Sequence, residues 1–280
     1  MLRIKDLLNQ ASQQLATSSE SPRLDAELLL AYTLDKPRGY LYANPELNLS
    51  TQQINNFLKL LNRRLTQEPI AYILGYKEFY SIDLRVNKNV LIPRPETELL
   101  VELVLAKLES QAKIKLADLG TGSGAIALAI AYKRPNWQIF ATDKSTKALA
   151  VAKNNARRLS IQNIKFLQGN WCHALPFRNL NAIVSNPPYI CKHDSHLQKI
   201  TKFEPTLALA AGEAGLQHIK TIIKQAKKFL ITKGLLILEH GFDQGNKVRQ
   251  LMDDQKYTNI ETHQDLAGYE RVTIGYWNPF

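Results

Sequence analysis

Strand-like and helix-like segments alternate along the chain from about residue 113 to its end. Short apolar runs typical of buried strands are separated by longer stretches with helical periodicity. This alternation indicates β–α–β units, in which consecutive strands lie parallel in one sheet and helices cover its faces. The predicted strands are 114–118, 137–142, 164–167, 182–185 and 234–239, with a closing pair at 259–262 and 272–276. Helices are expected at 125–132, 147–157 and 216–230. The sequence therefore predicts an α/β domain.

The chain before this domain has a different pattern. Apolar residues recur at helical spacing up to about Gly75, which predicts a module of four or five short helices. Residues 80–86 alternate in polarity, reach Asn87-Lys88-Asn89 and resume at 90–92, which predicts a β-hairpin with its turn at 87–89. We therefore expect a helical domain over 1–75, a hairpin linker with a first helix over 76–110, and the α/β domain over 111–280.

Composition limits the class of protein without deciding the function. The first residues carry charge where a signal peptide needs an apolar stretch, and the most apolar run, 125–131, is too short to span a bilayer. Two cysteines indicate a reducing compartment, so a cytoplasmic protein is expected. The net charge of +11 fits either a solvated basic surface or an anionic partner such as nucleic acid.

A glycine-rich segment joins the first predicted strand to the next helix. It reads Asp118-Leu119-Gly120-Thr121-Gly122-Ser123-Gly124. Glycines allow a sharp turn and let a ligand approach the backbone closely. Asp143 closes the following strand, where a carboxylate can bind the two ribose hydroxyls of an adenosine. Together these features predict a site for an adenosine-containing cofactor.

The tetrapeptide Asn186-Pro187-Pro188-Tyr189 ends the fourth predicted strand. Prolines donate no hydrogen bonds, so the strand ladder must stop there, and the residue before a proline is held extended. The Asn186 side-chain oxygen and the Pro187 carbonyl can accept both hydrogens of a planar NH2 group, while Tyr189 can stack on it. These contacts strengthen as positive charge develops on the nitrogen. The segment predicts methyl transfer to a planar amine or amide, in which adenine, guanine and glutamine fit equally.

Two kinds of adenosine cofactor fit the glycine-rich segment. Residues 120–125 also satisfy the G-x-G-x-x-A pattern of nicotinamide dinucleotide sites. Asp118 favours S-adenosylmethionine, because its carboxylate can receive a cationic amino-acid group and would repel a pyrophosphate. The tetrapeptide favours the same cofactor, because it has a use in methyl transfer and none in hydride transfer.

A metal site is not expected. The candidate ligands match no usual zinc spacing, and the proposed reaction needs no metal. They are Cys172, His173, Cys191, His193 and His196.

These motifs together resemble the peptide-chain release factor glutamine N5-methyltransferases, the HemK/PrmC family. The glycine-rich segment, Asp143 and the tetrapeptide resemble S-adenosylmethionine-dependent amino methyltransferases in general. Other segments narrow the resemblance to this family, and it extends from about Arg23 almost to the end. They are 68–75, 91–98, Glu204-Pro205 with Ala208-Leu209, and 265–268.

The resemblance implies a Rossmann-like, seven-stranded methyltransferase domain and a defined substrate. That substrate is the glutamine of the Gly-Gly-Gln loop in bacterial class I release factors, whose body would dock on the N-terminal domain. A monomer that needs no membrane and no direct nucleic acid is expected. The implied cofactor contacts are Gly120, Thr121, Gly122, Ser123, Gly124, Asp143, Trp171 and Asn186. The implied catalytic residues are Asn186, Pro187 and Tyr189, with Pro188 added for substrate binding.

The chain departs from the family pattern at two places. Asn170 stands where the family often has an acidic residue before the tryptophan, and Glu239-His240-Gly241 stands where relatives often show Glu-Ile-Gly. Two alternatives remain open from the residues: a ribosomal-protein glutamine methyltransferase, and a nucleic-acid methyltransferase acting on adenine N6 or guanine N2. A binding module without enzymatic activity is disfavoured, because the cofactor loop and the amine-binding segment occur together.

Overall fold

The computed structural model describes residues 2–192, 201–212 and 215–279, in two compact units, Met1–Tyr76 and Lys77–Phe280. The first unit is helical, and its described residues form five helices: α1 (Ile4–Leu15), α2 (Pro22–Leu34), α3 (Arg38–Ala43), α4 (Thr51–Leu65) and α5 (Ile70–Leu74). Helix α4 begins with a capping box, in which Ser50 and Gln53 satisfy each other's backbone N–H groups. The apolar faces of these helices enclose a separate core that includes Phe57 and Leu61.

A two-stranded hairpin of β1 (Tyr76–Phe79) and β2 (Ile82–Arg85) starts at the last residue of the first unit and otherwise belongs to the second. The predicted hairpin is therefore present, but the prediction of its turn at Asn87-Lys88-Asn89 and of a strand over 90–92 was wrong. The turn lies at Tyr80 and Ser81, whose φ angles of 50° and 61° are both left-handed. A two-residue turn with positive φ at both positions matches the twist of paired strands, so it determines where the hairpin closes.

The remaining strands form one seven-stranded sheet in the order β5-β4-β3-β6-β7-β9-β8. Its strands are β3 (Lys115–Leu119), β4 (Gln138–Asp143), β5 (Ile164–Gln168), β6 (Leu180–Ser185), β7 (Leu230–Glu239), β8 (Tyr257–Gln264) and β9 (Glu270–Trp277). Strands β3 to β7 pair in parallel, while β9 is antiparallel to both β7 and β8. The predicted parallel sheet with a closing strand pair is confirmed.

Helices cover both faces of this sheet. They are α6 (Glu98–Lys107), α7 (Ala125–Lys133), α8 (Thr146–Arg158), α9 (Gln217–Ala226) and α10 (Gly245–Asp254). Alternate residues of each strand enter one of two cores, as the period of two along a strand requires. Within β7, for example, Leu235 and Ile237 enter one core while Leu236 and Leu238 enter the other.

Two boundaries differ from the sequence prediction. Helix α9 ends at Ala226, and β7 begins at Leu230, where the sequence predicted a helix through 230. Strand β7 is irregular near its start: Lys233 has φ 62°, and the pairing register shifts between Leu180 and Ala182 of β6. Among the described residues, no helix combines the length and apolar character needed to cross a bilayer.

Candidate active site

Four functional segments meet at one edge of the sheet, because parallel strands place their carboxyl ends together. Strand β3 ends at Leu119, β4 at Asp143, β6 at Ser185 and β7 at Glu239. From β3 the strands are added toward one edge of the sheet (β4, then β5), and from β6 they are added toward the other edge, beginning with β7. Ligands of open α/β sheets bind at the switch point between two such strands. The glycine-rich segment and Asn186-Pro187-Pro188-Tyr189 follow these two central strands.

Hydrogen bonds from its own backbone hold the glycine-rich segment against β4. The amides of Gly120 and Thr121 both donate to the Thr142 carbonyl, at 2.8 and 2.9 Å. Gly124 has φ 87° and forms the N-cap of α7, where a Cβ atom would lie 2.8 Å from a Leu128 methyl group. A side chain is therefore excluded at Gly124 by both backbone conformation and packing.

Asp118 lies beneath this segment and not on the surface of a cavity. Its carboxyl is 0% exposed, and Oδ2 accepts a 2.6 Å hydrogen bond from the Thr121 hydroxyl. Burial raises the pKa of the Asp118 carboxyl to about 7, and the hydrogen bond from Thr121 opposes that rise. Asp118 thus braces the glycine-rich turn through Thr121.

Asp143 connects the ends of β3 and β4. Its Oδ2 atom accepts from the Gly122 amide at 2.9 Å, and its Oδ1 atom accepts from the Ser145 amide at 2.8 Å. Burial raises the pKa of Asp143, while hydrogen bonds from these amides oppose the rise. Each oxygen keeps a second lone pair, so the carboxylate can still accept from ligand hydroxyls.

A cavity of about 320 Å³ opens above these residues. Gly120, Gly122 and Asp143 line one side, and Asn186 and Pro188 line another. Trp171, with a left-handed φ of 51°, contributes an aromatic wall next to Gly120: a Cβ at Gly120 would lie 3.1 Å from the Trp171 ring.

His218 extends this aromatic wall, since its ring centroid lies 5.3 Å from that of Trp171. Burial lowers the pKa of His218, and the positive charge of Lys144 acts in the same direction. A neutral imidazole and an indole therefore line the same side of the cavity.

The tetrapeptide is tied to both of its neighbouring strands. The Ser185 hydroxyl, immediately before it, donates to the Leu119 carbonyl at 2.6 Å. Gln244 Nε2 donates to the Tyr189 carbonyl at 3.1 Å, and the Tyr189 hydroxyl donates to Glu239 Oε1 at 3.4 Å. Burial raises the pKa of Tyr189, and the charge of Glu239 adds to the rise. These contacts hold the segment at both ends.

A second cavity of about 180 Å³ adjoins the first. All four tetrapeptide residues line it, and Asn186 and Pro188 also line the larger cavity. Arg94 forms part of its wall, and its guanidinium is held by Glu204 Oε1 at 2.6 Å, while Glu204 Oε2 accepts from the Ile92 amide at 3.0 Å. The partner that the structure gives Arg94 is thus Glu204, and not its sequence neighbour Glu96. Asn186 stands where the two cavities meet.

The N-terminal unit and the α/β unit each match a known family model. Residues 6–75 match the PrmC N-terminal domain, and residues 96–206 match the methyltransferase small domain. The release factor glutamine methyltransferase of Coxiella burnetii is 53% identical over 274 residues, covering 98% of this chain and 99% of that protein. That of Escherichia coli is 45% identical over 269 residues, covering 96% of each chain.

The chain belongs to the release factor glutamine methyltransferase family. The family resemblance drawn from the motifs is thereby confirmed, and with it a methyltransferase fold and enzyme class. A methyltransferase structure from Pyrococcus furiosus agrees in fold, with a TM-score of 0.53 at 16% identity, covering 71% of this chain and 90% of that one.

In this family member, the residues predicted for the cofactor lie at different depths. Gly120, Gly122, Asp143, Trp171 and Asn186 line the larger cavity. Thr121 and Ser123 are buried behind it, and Gly124 caps α7. Asn170 also lines the cavity and is exposed.

Several cavity residues were missed by sequence reasoning. Three of them, Leu91, Pro205 and Ala208, lie in segments that entered only the family resemblance, with no role in the site assigned to them. The others come from segments without a motif of their own, and only the fold brings them to this edge: Asn89, Val90, Lys144, Ser145, Ala148, Gly169, Leu207, Gln217, His218 and Thr221. Residues around Ser145 could have been inferred from their position directly after Asp143. The other segments carried no comparable local signal.

The cysteines and histidines weighed as metal ligands do not form a site in the described ranges. There, no group of three or more histidine, cysteine, aspartate or glutamate residues is arranged to hold an ion. His193 and His196 lie outside the described residues.

Proposed function

We propose that this protein methylates the side-chain amide nitrogen (N5) of the glutamine in the Gly-Gly-Gln motif of bacterial class I release factors, with S-adenosylmethionine as methyl donor. The observation that carries the proposal is the shared position of Asn186 at the junction of the two cavities. One cavity has the features of an adenosine site, and the other is lined by a segment suited to a planar amide. Family membership supports the choice of glutamine over other NH2 groups.

The larger cavity suits an adenosine-containing methyl donor. Gly120 and Gly122 expose backbone, Asp143 offers acceptors for ribose hydroxyls, and Trp171 offers an aromatic face for adenine. When bound, S-adenosylmethionine supplies an electrophilic methyl group. Thr121, Ser123 and Gly124 contribute by shaping the turn, and Asn170 offers an amide for the adenine edge.

The smaller cavity suits the glutamine side chain. Asn186 Oδ1 and the Pro187 carbonyl accept the two hydrogens of its NH2 group, and Pro188 and Tyr189 confine its planar face. These acceptors gain strength as the nitrogen loses electron density to the new bond. The nitrogen becomes acidic once it is alkylated and then loses its proton, so the residues need only to align the nitrogen and no strong base is required.

A methylation assay tests this function directly. Labelled methyl donor is incubated with the protein and a release factor, with its Gln→Ala form at the Gly-Gly-Gln loop, with ribosomal proteins, and with RNA and DNA. Label on the unaltered release factor alone is expected. Label on ribosomal protein, or on adenine or guanine of nucleic acid, with none on the release factor, would replace the proposal by one of those two activities.

Asn186→Ala tests whether the Asn186 side chain acts as a hydrogen-bond acceptor for the glutamine NH2 group. Loss of the amide oxygen is expected to lower kcat by about a hundredfold, as for removal of other groups that bind developing charge. Circular dichroism and the unfolding temperature check that the fold survives. Unchanged turnover in a folded variant would remove Asn186 from the mechanism.

We further propose that residues 1–75 dock the body of the release factor, in the bacterial cytoplasm and as a monomer. This unit exposes large apolar side chains, including Leu24, Tyr32, Leu47 and Leu58. Nearly all of the +11 charge lies in residues 77–280 instead, so we expect this docking to be largely apolar.

Tyr32→Ser and Leu58→Ser test the docking surface in the full chain. Both are expected to raise KM for the release factor and to leave methylation of a short Gly-Gly-Gln peptide unchanged, because the peptide lacks the body. Tyr132→Ser, at an exposed tyrosine of the second unit, is the matched control. An equal effect on factor and peptide would contradict docking on this unit.

A further inference from the structure

The side-chain amide of Asn186 is held in one orientation by Thr97. Asn186 Nδ2 donates to Thr97 Oγ1 at 3.0 Å, and Thr97 is only 4% exposed. An asparagine amide has nearly the same shape in its two flipped orientations, so its hydrogen-bond partners decide which side carries the oxygen. With the NH2 group directed at Thr97, the oxygen lies on the other side of the amide.

The Thr97 hydroxyl does not cap the helix that follows it. Thr97 precedes α6 at the N-cap position, where threonine commonly accepts a bond from the helix backbone. No such capping bond is made here. Its hydroxyl instead bridges the tetrapeptide and strand β7.

Glu239 determines where the hydrogen of the Thr97 hydroxyl points. It ends β7, is 1% exposed, and accepts from the Tyr189 hydroxyl at 3.4 Å, while the nearby Thr97 hydroxyl lowers the pKa of its carboxyl. A carboxylate can only accept, so a Thr97 hydrogen directed at Glu239 leaves the Thr97 oxygen free to accept from Asn186 Nδ2. If Glu239 were protonated, it could donate to the Thr97 oxygen. Thr97 could then donate to the side-chain oxygen of Asn186, and the Asn186 amide could flip.

We propose that Thr97 is a positioning residue for methyl transfer, which, backed by Glu239, holds the Asn186 amide with its oxygen available to the substrate NH2 group. The expected effect on kcat rests on the proposed function, whereas the orientation of the Asn186 amide is a property of the chain alone. Thr97 touches neither substrate nor methyl group and acts only through Asn186.

Protonation of Glu239 should free the Thr97 hydroxyl to reorient, so that Thr97 no longer holds the Asn186 amide in one orientation. Burial raises the pKa of its carboxyl to about 7, opposed by the hydrogen bonds from Thr97 and Tyr189 and by the charge of Arg271, while Glu96 adds to the rise. These are the charged and titratable groups that face it. Below that pKa the carboxyl becomes a donor, so kcat should fall with falling pH, and Glu239→Gln should remove this dependence.

Thr97→Val and Thr97→Ser separate the hydroxyl from the rest of the side chain. Valine keeps the shape and loses the hydroxyl, and we expect kcat at saturating substrates to fall about tenfold, with cofactor Kd nearly unchanged. Serine keeps the hydroxyl and should restore most of kcat. Thr273→Val removes another fully buried hydroxyl and is the matched control, expected to lower stability without the same loss of kcat.

The side-chain NH2 signals of Asn186 test the orientation without any substrate. They can be assigned in 15N-asparagine-labelled protein by their loss in Asn186→Ala. We expect slow hydrogen exchange of this NH2 group in the unaltered protein and Thr97→Ser, and fast exchange in Thr97→Val.

The two readouts separate the possible failures. Slow exchange in Thr97→Val, or serine as damaging as valine, overturns the positioning role. If the unaltered protein methylates no release factor while the exchange pattern holds, the proposed function fails and the orientation of Asn186 by Thr97 stands.

Discussion

The Ser185 hydroxyl donates a 2.6 Å hydrogen bond to the Leu119 carbonyl, and both residues are completely buried. Leu119 ends β3 directly before the glycine-rich segment, and Ser185 ends β6 directly before Asn186. This side-chain hydrogen bond adds to the parallel pairing of β3 with β6 in holding the spacing between the parts of the chain that face the two cavities. Because a misplacement of reacting groups by about 1 Å can slow a reaction about a hundredfold, this bond links the fold to catalysis.

Ser185→Ala is expected to lower the free energy of unfolding by about 1–2 kcal/mol, since a buried carbonyl loses its donor. We also expect kcat to fall several-fold, because Asn186 loses its anchor to β3. Urea unfolding and steady-state methylation measure the two effects. Ser110→Ala, at an exposed serine, should change neither. A destabilised variant with normal kcat would show that the bond serves the fold alone.

Gly120→Ala should distort the proposed adenine side of the larger cavity. Gly120 has φ 74°, and a Cβ there would lie 3.1 Å from the Trp171 ring. Backbone strain costs about 1–2 kcal/mol, and the displaced ring should in addition weaken cofactor binding and alter tryptophan fluorescence. Calorimetric titration with S-adenosylmethionine measures the affinity.

Gly268→Ala is the matched control for that substitution. Gly268 has φ 81°, and a Cβ there would meet nothing within 4 Å. It should reproduce the strain and leave the cofactor affinity unchanged. Equal affinities in the two variants would show that contact between Gly120 and Trp171 does not limit binding.

Local patterns were sufficient to predict the sheet and the two motifs at its edge. Short apolar runs mark β3 to β7, glycines mark the turn after β3, and two prolines mark the end of β6. Each of these signals acts within a few residues of where it is read. The carboxyl ends of parallel strands then meet by topology alone, which is why Asp143 and Asn186 could be assigned to one site.

The rest depended on tertiary contacts that no local pattern encodes. Asn87-Lys88-Asn89 has better turn chemistry than Tyr80-Ser81, yet the packed hairpin closes at the latter. Thr97 stands at the N-cap position of α6, where threonine commonly caps the helix, but its hydroxyl accepts from Asn186 instead. His218 enters the cavity from α9 only because that helix covers the same edge of the sheet.

Asp143→Ala should weaken cofactor binding by about tenfold or more, because a charge-assisted pair of acceptors is lost. The same carboxylate also accepts from the amides of Gly122 and Ser145, so some stability should be lost as well. Calorimetry and thermal unfolding separate the two effects. Asp83→Ala, at an exposed aspartate of β2, is the control. Unaltered affinity for S-adenosylmethionine would reject the ribose contact.

His240 occupies one end of a buried chain of hydrogen bonds. Arg249 Nη1 lies 2.7 Å from Thr262 Oγ1, Thr262 Oγ1 lies 2.9 Å from Thr273 Oγ1, and Thr273 Oγ1 lies 2.8 Å from His240 Nε2. His240 Nδ1 lies 2.9 Å from the Gly241 carbonyl. A carbonyl only accepts, so His240 Nδ1 carries a hydrogen and donates it to the Gly241 carbonyl. When His240 is neutral, its Nε2 atom is then an acceptor for the Thr273 hydroxyl.

The protein should therefore lose stability as the pH falls. Burial lowers the pKa of folded His240, and the charges of Arg271 and Arg249 act with burial while that of Glu270 opposes it. In the unfolded chain the imidazole has its ordinary pKa of about 6.5, so between that value and the lower folded one the unfolded state binds more protons. The contribution is complete above about pH 7 and declines below pH 6.5, by at most about 1.4 kcal/mol for each pH unit.

His240→Ile removes this titration. We expect the variant to be less stable at pH 8, because Thr273 and the Gly241 carbonyl lose their partner, but to lose less further stability between pH 8 and pH 5. Urea unfolding at several pH values measures both. His218→Asn, which alters the other histidine whose pKa is lowered by burial, should leave the His240 contribution in place. Parallel stability curves for the unaltered protein and His240→Ile would contradict a neutral, proton-excluding His240.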